Sequence, residues 1–325
     1  MSSSSPLWVG IDVSSKRLDI ALGPLGETSR IDNSDHGIST LVNRLLQLPI
    51  AGIICEATGF YHQALTLALW EVNLPLTIVN PAWIKAFRGT TGKRAKTDRA
   101  DARLLASYGE YTQPAPSRVI PKVERDLREL VAARDDLVTQ RVATKHRLRS
   151  TTVPQIRAAL ERAIDFFTSE ITRLDDEITA TIDSSVDLAE RRRIIRSMPG
   201  LGPVHSAIMV AFLPELGALN RREIASLGGL APFARDSGTL QGKRFVQFGR
   251  APIRKAMYLA ARMCGTKDLA LNSRKDRLRA KGKLAKVVNI ALARWMLTML
   301  NVMVRDGLLW QDLDQAHRIV EVPTT

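Results

Sequence analysis

Short apolar runs alternate with amphipathic stretches along the first 110 residues of the chain. Five runs have the length and composition of strands, at residues 7–13, 18–22, 28–32, 51–56 and 74–79. Stretches with helical periodicity lie between or after them, at residues 37–48, 61–72, 82–87 and 96–111. Three strands joined by tight turns, followed by strands that are separated by helices, predict a mixed α/β sheet.

A proline-rich stretch follows, and the pattern beyond it is helical. Residues 112–121 read TQPAPSRVIP, with three prolines in ten positions, which is typical of a linker. Apolar residues then recur with the spacing of a heptad seam, at Leu160, Ile164, Phe167, Ile171, Leu174 and Ile178. This seam fits two arrangements equally well: an antiparallel helical hairpin within one chain, or a coiled coil between chains.

The pattern changes again near residue 197. The segment MPGLGPVHSAIMVAFL predicts a helix-hairpin-helix-like element in which Pro203 opens the second helix. A helix start of this kind can hold a phosphate, although an ordinary helix start explains the sequence at least as well. The polar loop ARDSGTLQGKR and two predicted helices, at residues 251–263 and 283–303, come next. The C-terminal part is therefore predicted to be mostly α-helical.

The charge distribution indicates a polyanionic partner. Lys and Arg number 47 against 33 Asp and Glu, which gives a net charge of +14. Nearly all of the excess lies in residues 221–286, where 17 basic and 4 acidic residues leave a net charge of +13. Solubility does not need such a local excess, so we expect a surface that binds nucleic acid. Aromatic residues make up only 5% of the chain, which argues against a binder of single strands that depends on base stacking.

Several classes of protein are disfavoured by the same sequence. No uninterrupted apolar run approaches the roughly 18 residues of a membrane span, and the first residues lack the pattern of a secretory signal. The two cysteines, Cys55 and Cys264, exclude a disulfide scaffold and cannot make a zinc site by themselves. We therefore expect a soluble, cytoplasmic protein with no membrane partner.

Four acidic residues occupy positions where solubility does not require them. Asp12 interrupts one apolar strand and Glu56 ends another, while Asp98 and Asp101 lie one helical turn apart in KTDRADAR. Each could be an ordinary turn or surface residue. Together they offer the hard oxygen ligands that Mg²⁺ prefers, and Mn²⁺ accepts similar ligands. The set predicts a divalent-metal site for phosphoryl transfer.

Long motifs along the chain resemble one family. GIDVSSKRLDIAL, CEATGFYHQAL, VNPAWIKAF and GKRAKTDRADARLLA resemble the N-terminal motifs of the "one-ten" family of insertion-sequence transposases. MPGLGPVHSAIMVAFLPELG, LGGLAPFARDSG and GRAPIRKAMYLAA resemble its second conserved domain. The resemblance is collinear over nearly the whole chain. It implies a RuvC-like (RNase H-like) catalytic domain, a linker, a coiled-coil or hairpin segment and a C-terminal transposase domain, at residues 1–111, 112–122, 123–190 and 191–325.

The resemblance also implies specific roles and partners. Asp12, Glu56, Asp98 and Asp101 correspond to the family's DEDD metal ligands, and Ser237 corresponds to its nucleophilic serine. The implied activity is recombination of donor and target double-stranded DNA, guided by a structured bridge RNA. The implied assembly is a tetramer, a pair of dimers, whose composite active sites combine residues of different subunits. The implied location is the nucleoid in the cytoplasm of a prokaryote.

Ser237 has a simpler interpretation as well, since a serine in a polar loop is most often a turn residue. As a nucleophile it would attack a DNA phosphodiester and conserve the bond as phosphoserine, and a nearby metal ion could activate it. Basic residues near Ser237 and near the carboxylates are expected to contact nucleic acid: Lys16, Lys93, Arg94, Lys96, Arg99, Arg235, Lys243, Arg244, Arg250, Arg254 and Lys255.

Two other functions fit the same residues. A RuvC-like endonuclease would cut junctions or flaps with water and would not use Ser237 as a nucleophile. A non-enzymatic nucleic-acid-binding protein would keep the carboxylates for structural reasons only.

Overall fold

The computed structural model describes residues 6–57, 61–90, 98–233, 245–264 and 268–313. The chain divides into two compact units, Met1–Val119 and Ile120–Thr325. Each unit has its own core, and each is described by itself.

Unit 1 is built on a five-stranded mixed sheet. Its strands are β1 Leu7–Val13, β2 Arg17–Leu22, β3 Thr28–Asp32, β4 Ile50–Glu56 and β5 Leu76–Val79. Their order across the sheet is β3-β2-β1-β4-β5. The first three strands form an antiparallel meander, while β4 runs parallel to β1 and β5 runs parallel to β4. The mixed sheet predicted from the apolar runs is confirmed.

Four helices accompany this sheet: α1 Asp35–Leu45, α2 Gln63–Glu71, α3 Pro81–Thr90 and α4 Asp98–Thr112. The start of α1 is set by Ser34, whose hydroxyl accepts a hydrogen bond from the backbone N–H of Gly37. The central strands are apolar because they are covered. Val9, Ile11 and Ile53, for example, are fully buried.

Helix α4 lies unusually close to the sheet at Gly10 of β1. A Cβ atom at Gly10 would lie 2.0 Å from the carbonyl oxygen of Ala102 and 2.5 Å from the amide nitrogen of Ala106. Gly10 is paired with Ala21 of β2, and Ala21, Ala102 and Ala106 are all buried. Because these side chains are small, the backbone of α4 rests almost directly on β1.

Unit 2 is mostly helical. Its helices are α5 Lys122–Ser150, α6 Pro154–Asp183, α7 Val186–Ser197, α8 Pro203–Phe212, α9 Arg221–Leu227, α10 Ala251–Met263, α11 Leu269–Ala280 and α12 Ala285–Asp306. A short antiparallel pair, β6 Pro232–Phe233 with β7 Phe245–Val246, lies between α9 and α10. A single 3₁₀ turn, Trp310–Asp312, follows α12.

Helices α5 and α6 form an antiparallel hairpin within the chain. Arg134 of α5 donates to Asp175 of α6 through Nε and Nη2, at 2.8 and 3.2 Å. The predicted heptad seam of α6 faces inward at its C-terminal end, where Leu174 and Ile178 are buried. Pairing of the same seam with a second chain stays a prediction.

Helix α12 is the central core helix of unit 2. By length and composition it could cross a membrane, but 61% of its apolar window is buried inside the protein. Its fully buried side chains include Leu292, Met296 and Leu300. The apolarity of α12 is therefore explained by packing against the surrounding helices.

Candidate active site

A row of charged side chains crosses four strands of the sheet in unit 1. Asp12 of β1 is paired directly with Asp19 of β2, and Asp19 is paired directly with Arg30 of β3. On the other side of β1, Ile11 pairs with Cys55 of β4, so Glu56 continues the row beside Asp12. Residues paired across neighbouring strands share one face of the sheet. The row thus places three carboxylates and one guanidinium side by side.

The first turn of α4 adds two carboxylates to this row. Asp98 is the first residue of α4 and Asp101 follows one turn later. Gly10, where α4 touches β1, lies two residues before Asp12 and therefore on the same face of the strand. The close contact at Gly10 consequently brings the start of α4 towards Asp12.

The electrostatics of Asp12 show that the carboxylates are close enough to interact. Burial, followed by the charges of Asp101, Asp98, Glu56 and Asp19, raises the pKa of Asp12 to about 6. The other three carboxylates predicted from the sequence thus lie near enough to Asp12 to disfavour its charge. Their role as metal ligands stays a prediction.

The neighbouring thiol of Cys55 supports the same conclusion. Burial, followed by the charges of Asp12 and Glu56, raises the pKa of this thiol to about 12. A thiolate would be unfavourable here because the sulfur is buried and because the neighbouring carboxylates are negative. We call Asp12, Glu56, Asp98 and Asp101 the carboxylate cluster.

Two arginines approach the carboxylate cluster. Arg30 donates from Nε to both carboxylate oxygens of Asp19, at 2.9 and 3.2 Å, and from Nη2 to Oδ2 of Asp98, at 2.8 Å. Arg88 of α3 places Nη2 at 2.8 Å from Oδ1 of Asp101. Asp19, Arg30 and Arg88 were not among the residues predicted from the sequence. Asp19 interrupts an apolar strand just as Asp12 does, so the same signal could have found it.

The cluster offers the kind of donor atoms that a cation site needs. Oδ1 of Asp101 is buried and accepts no hydrogen bond, although Arg88 lies within ion-pair distance. Arg88 therefore compensates part of the charge of Asp101, while burial and the neighbouring carboxylates still disfavour the charged form of Asp12. The donors are all carboxylate oxygens, which suit a hard divalent ion. Within the described part of the chain, however, no three His, Cys, Asp or Glu side chains converge on one point where an ion could sit.

Several predicted site residues fall outside the described residues. They are Ser237 and the basic residues Lys93, Arg94, Lys96, Arg235, Lys243 and Arg244. The two ends of the segment that contains Ser237 are nevertheless held together, because Phe233 of β6 pairs with Phe245 of β7.

The other basic residues predicted to bind nucleic acid differ in their surroundings. Lys16 and Arg99 are exposed. Arg254 donates to the carbonyl of Phe248 at 2.6 Å, and Lys255 donates to Asp135 at 3.1 Å. The nucleic-acid role of the set stays a prediction.

Arg250 is built into the fold of unit 2. Its guanidinium donates to both carboxylate oxygens of Glu215 and, at 2.9 Å, to the carbonyl of Phe212. Burial opposes ionisation of Glu215, but the hydrogen bond and the charge of Arg250 outweigh it and lower the pKa of Glu215. Arg250 thus ties the start of α10 to the end of α8.

We expect Arg250→Gln to lower the free energy of unfolding by about 2 kcal/mol, because it breaks a bidentate, charge-assisted pair. Urea unfolding at pH 7.5 measures this loss, and Arg262→Gln, at an exposed position of the same helix, is the control. A variant as stable as the wild type would show that Arg250 is available for nucleic acid instead.

Two models of transposase domains match this chain. Residues 9–155 match a sequence model described as "Transposase", that of the DEDD transposase domain. Residues 192–275 match the model described as "Transposase IS116/IS110/IS902 family". Together the two matches cover more than half of the chain in the expected order. The protein is therefore a transposase, an enzyme that acts on DNA. It belongs to the IS110 family of insertion-element transposases.

Individual relatives agree with this assignment. The chain is 28% identical to the pilin gene-inverting protein of Moraxella bovis over 261 residues, which cover 78% of this chain and 80% of that protein. It is 24% identical to the 44.8 kDa protein of insertion element IS116 from Streptomyces clavuligerus, over 94% of this chain and 96% of that one. It is 36% identical to the 42 kDa protein of insertion element IS900 from Mycobacterium paratuberculosis over 145 residues, or 42% of this chain and 36% of that one.

Proposed function

We propose that this transposase is a site-specific recombinase that excises and inserts its own mobile element. In this proposal Ser237 is the nucleophile, and Asp12, Glu56, Asp98 and Asp101 hold Mg²⁺ or Mn²⁺ in a RuvC-like domain. The observation that carries the proposal is the arrangement of the backbone: Asp12 and Glu56 lie side by side at the ends of β1 and β4, and the close contact at Gly10 brings the start of α4 towards them. A DEDD transposase domain implies dependence on a divalent metal.

The proposed chemistry conserves the energy of the DNA backbone. The Ser237 oxygen forms a bond to the phosphorus of a phosphodiester, the bond to one DNA oxygen breaks, and that oxygen leaves as a hydroxyl. A hydroxyl of a second strand then attacks the phosphoserine and releases the serine. A divalent ion, when bound, supplies positive charge to the phosphate and to the leaving oxygen. No net phosphodiester bond is lost, so no external energy source is required.

We further propose that a structured bridge RNA pairs with donor and target DNA, and that the active assembly is a tetramer in the cytoplasm. The resemblance to the family and the net charge of +13 in residues 221–286 support a nucleic-acid partner for unit 2. The name of the Moraxella bovis relative, a pilin gene-inverting protein, describes a DNA rearrangement and supports recombination over simple cutting.

The proposal predicts that Ser237→Ala abolishes a covalent protein–DNA adduct. Purified protein is incubated with Mg²⁺, donor and target DNA, and RNA transcribed from the flank of the element. A denaturing gel then detects DNA that migrates with attached protein. We expect the adduct in the wild type, and a loss of at least roughly 10³-fold in Ser237→Ala, because no other group can form the phosphoserine. Ser226→Ala, at an exposed serine of the same unit, is the matched control.

The two other functions give different results in the same experiment. Cleavage without an adduct, unchanged in Ser237→Ala, would indicate an endonuclease that uses water. Binding without any cleavage, insensitive to Mg²⁺ and to Asp12→Asn, would indicate a non-enzymatic nucleic-acid-binding protein.

A further inference from the structure

Asp19 is a buried carboxylate that the proposed chemistry does not use. Its side chain is 5% exposed, and it faces Asp12 directly across the β1–β2 pair. Two carboxylates in this position repel each other, and a buried charge is costly unless it is paired. The structure pairs Asp19 with Arg30, whose Nε lies 2.9 and 3.2 Å from the two carboxylate oxygens. Asp19 therefore anchors the guanidinium of Arg30 at the edge of the carboxylate cluster.

A terminal nitrogen of the same guanidinium reaches α4. Nη2 of Arg30 donates to Oδ2 of Asp98 at 2.8 Å. The side chain of Asp98 is 67% exposed, and Asp98 is the first residue of its helix. Such a carboxylate samples several rotamers unless another group holds it. A planar guanidinium can bind two carboxylates along two of its edges, which an ammonium group cannot do in the same way.

We propose that Asp19 and Arg30 are positioning residues of the transposase: buried Asp19 fixes Arg30, and Arg30 holds Asp98 in place for the divalent ion. Neither residue touches DNA or the ion in this proposal. The inference rests on the proposed function, because it assumes that Asp98 is a metal ligand. It assigns a role to two residues outside the DEDD set and explains why Asp19, Arg30 and Asp98 contact one another.

The direction in which Arg30→Gln changes metal affinity distinguishes a positioning role from simple electrostatic repulsion. Arg30 places a positive charge close to the cluster, so by Coulomb's law alone its removal would strengthen the binding of a cation. If Arg30 positions Asp98, its removal weakens binding, because one ligand is no longer held. The two mechanisms thus predict opposite changes in metal affinity for Arg30→Gln.

The test is a titration of the full-length protein with Mn²⁺ in the absence of nucleic acid, in which electron paramagnetic resonance measures free Mn²⁺. We expect Arg30→Gln and Asp19→Asn to bind Mn²⁺ about tenfold more weakly than the wild type, as is usual when a group that orients a metal ligand is lost. Arg30→Lys keeps the charge but cannot contact both carboxylates through two fixed nitrogens, so we expect its Mn²⁺ affinity to lie between that of Arg30→Gln and that of the wild type. Arg44→Gln removes another ion pair of unit 1, that with Glu27, and is expected to leave the affinity unchanged.

The outcomes separate this inference from the proposed function. If the wild type binds Mn²⁺ and Arg30→Gln binds it equally tightly or more tightly, the positioning role is overturned and the proposed function is left intact. A wild type that binds no Mn²⁺ would overturn the metal-dependent function and the positioning role together. The thermal midpoint of each variant shows whether it is folded. If Arg30→Gln does not fold, wild-type affinity in Arg30→Lys would overturn the inference.

Discussion

Replacing Asp12 with asparagine is expected to abolish recombination and to stabilise the protein at neutral pH when no divalent ion is present. Asparagine keeps the size of the side chain but removes the charge nearest the centre of the carboxylate cluster. Losing a metal ligand removes several kcal/mol of charge stabilisation from the transition state, which corresponds to a fall of roughly 10³-fold or more in the rate of adduct formation.

The stabilisation follows from the raised pKa of Asp12. In the folded protein this pKa is about 6, against an ordinary value of 3.8. Below about pH 4 the carboxyl is protonated in both the folded and the unfolded state, so its charge costs no stability. Between about pH 4 and pH 6 the unfolded wild type has lost this proton while the folded protein still holds it, so the wild type loses stability as the pH rises, whereas Asp12→Asn does not. Above pH 6 the carboxyl is ionised in both states and the loss is complete. The side chain is partly exposed, so solvent screening limits the difference to about 1–2 kcal/mol.

Urea unfolding in EDTA at several pH values between 4 and 8 measures this difference. The gap between Asp12→Asn and the wild type should open between pH 4 and 6.5 and stay constant above that range. Asp35→Asn, at an exposed aspartate in the first turn of α1, is the control and should lower stability slightly at neutral pH, because a negative charge there favours the helix. Equal stability of Asp12→Asn and the wild type at every pH would contradict the description of the cluster.

The architecture of unit 1 could be predicted because its apolar runs are short and regular. Each buried strand appears as such a run. Asp12 could be predicted as a site residue because it interrupts one of these runs. The contacts of the two guanidinium groups with the cluster could not be predicted from the sequence. Arg30 reaches Asp98 across 68 positions of sequence, and only the pairing of β2 with β3 and the placement of α4 bring the two together. Contacts of this kind depend on tertiary geometry, which residue spacing does not contain.

Unit 2 shows two further limits of sequence patterns. Helix α11 was not predicted, because its basic sequence, LALNSRKDRLRA, lacks an apolar period. It is attached through Leu271, which is fully buried, and through Arg274, whose guanidinium lies 4.6 Å from the ring centre of Trp295. The heptad seam of α6 could be predicted from its apolar spacing. The helix that packs against it could not, because either α5 or a helix of another chain can cover the same apolar residues.

Gly10→Val is expected to abolish activity without changing any carboxylate. A Cβ atom at this position would overlap the backbone of α4, 2.0 Å from the carbonyl oxygen of Ala102. The backbone of α4 cannot rotate away as a side chain can, so the whole helix must move away from β1. Overpacking of this severity costs about 3 kcal/mol or more. The displacement also carries Asp98 and Asp101 away from Asp12, so we expect adduct formation to fall by at least roughly 10²-fold, as a misplacement of about 1 Å can do.

Gly89→Ala is the matched control, since Gly89 lies on helix α3 of the same unit and a Cβ atom there would meet no atom within 4 Å. We expect it to leave activity unchanged and to raise stability by about 0.5–1 kcal/mol, because alanine favours a helix more than glycine does. Urea unfolding, Mn²⁺ titration and the adduct gel together measure the effect of each variant. A stable Gly10→Val protein with wild-type Mn²⁺ affinity would contradict the role of this contact. The expected result would show that the spacing between α4 and β1 sets the distance between the two halves of the carboxylate cluster.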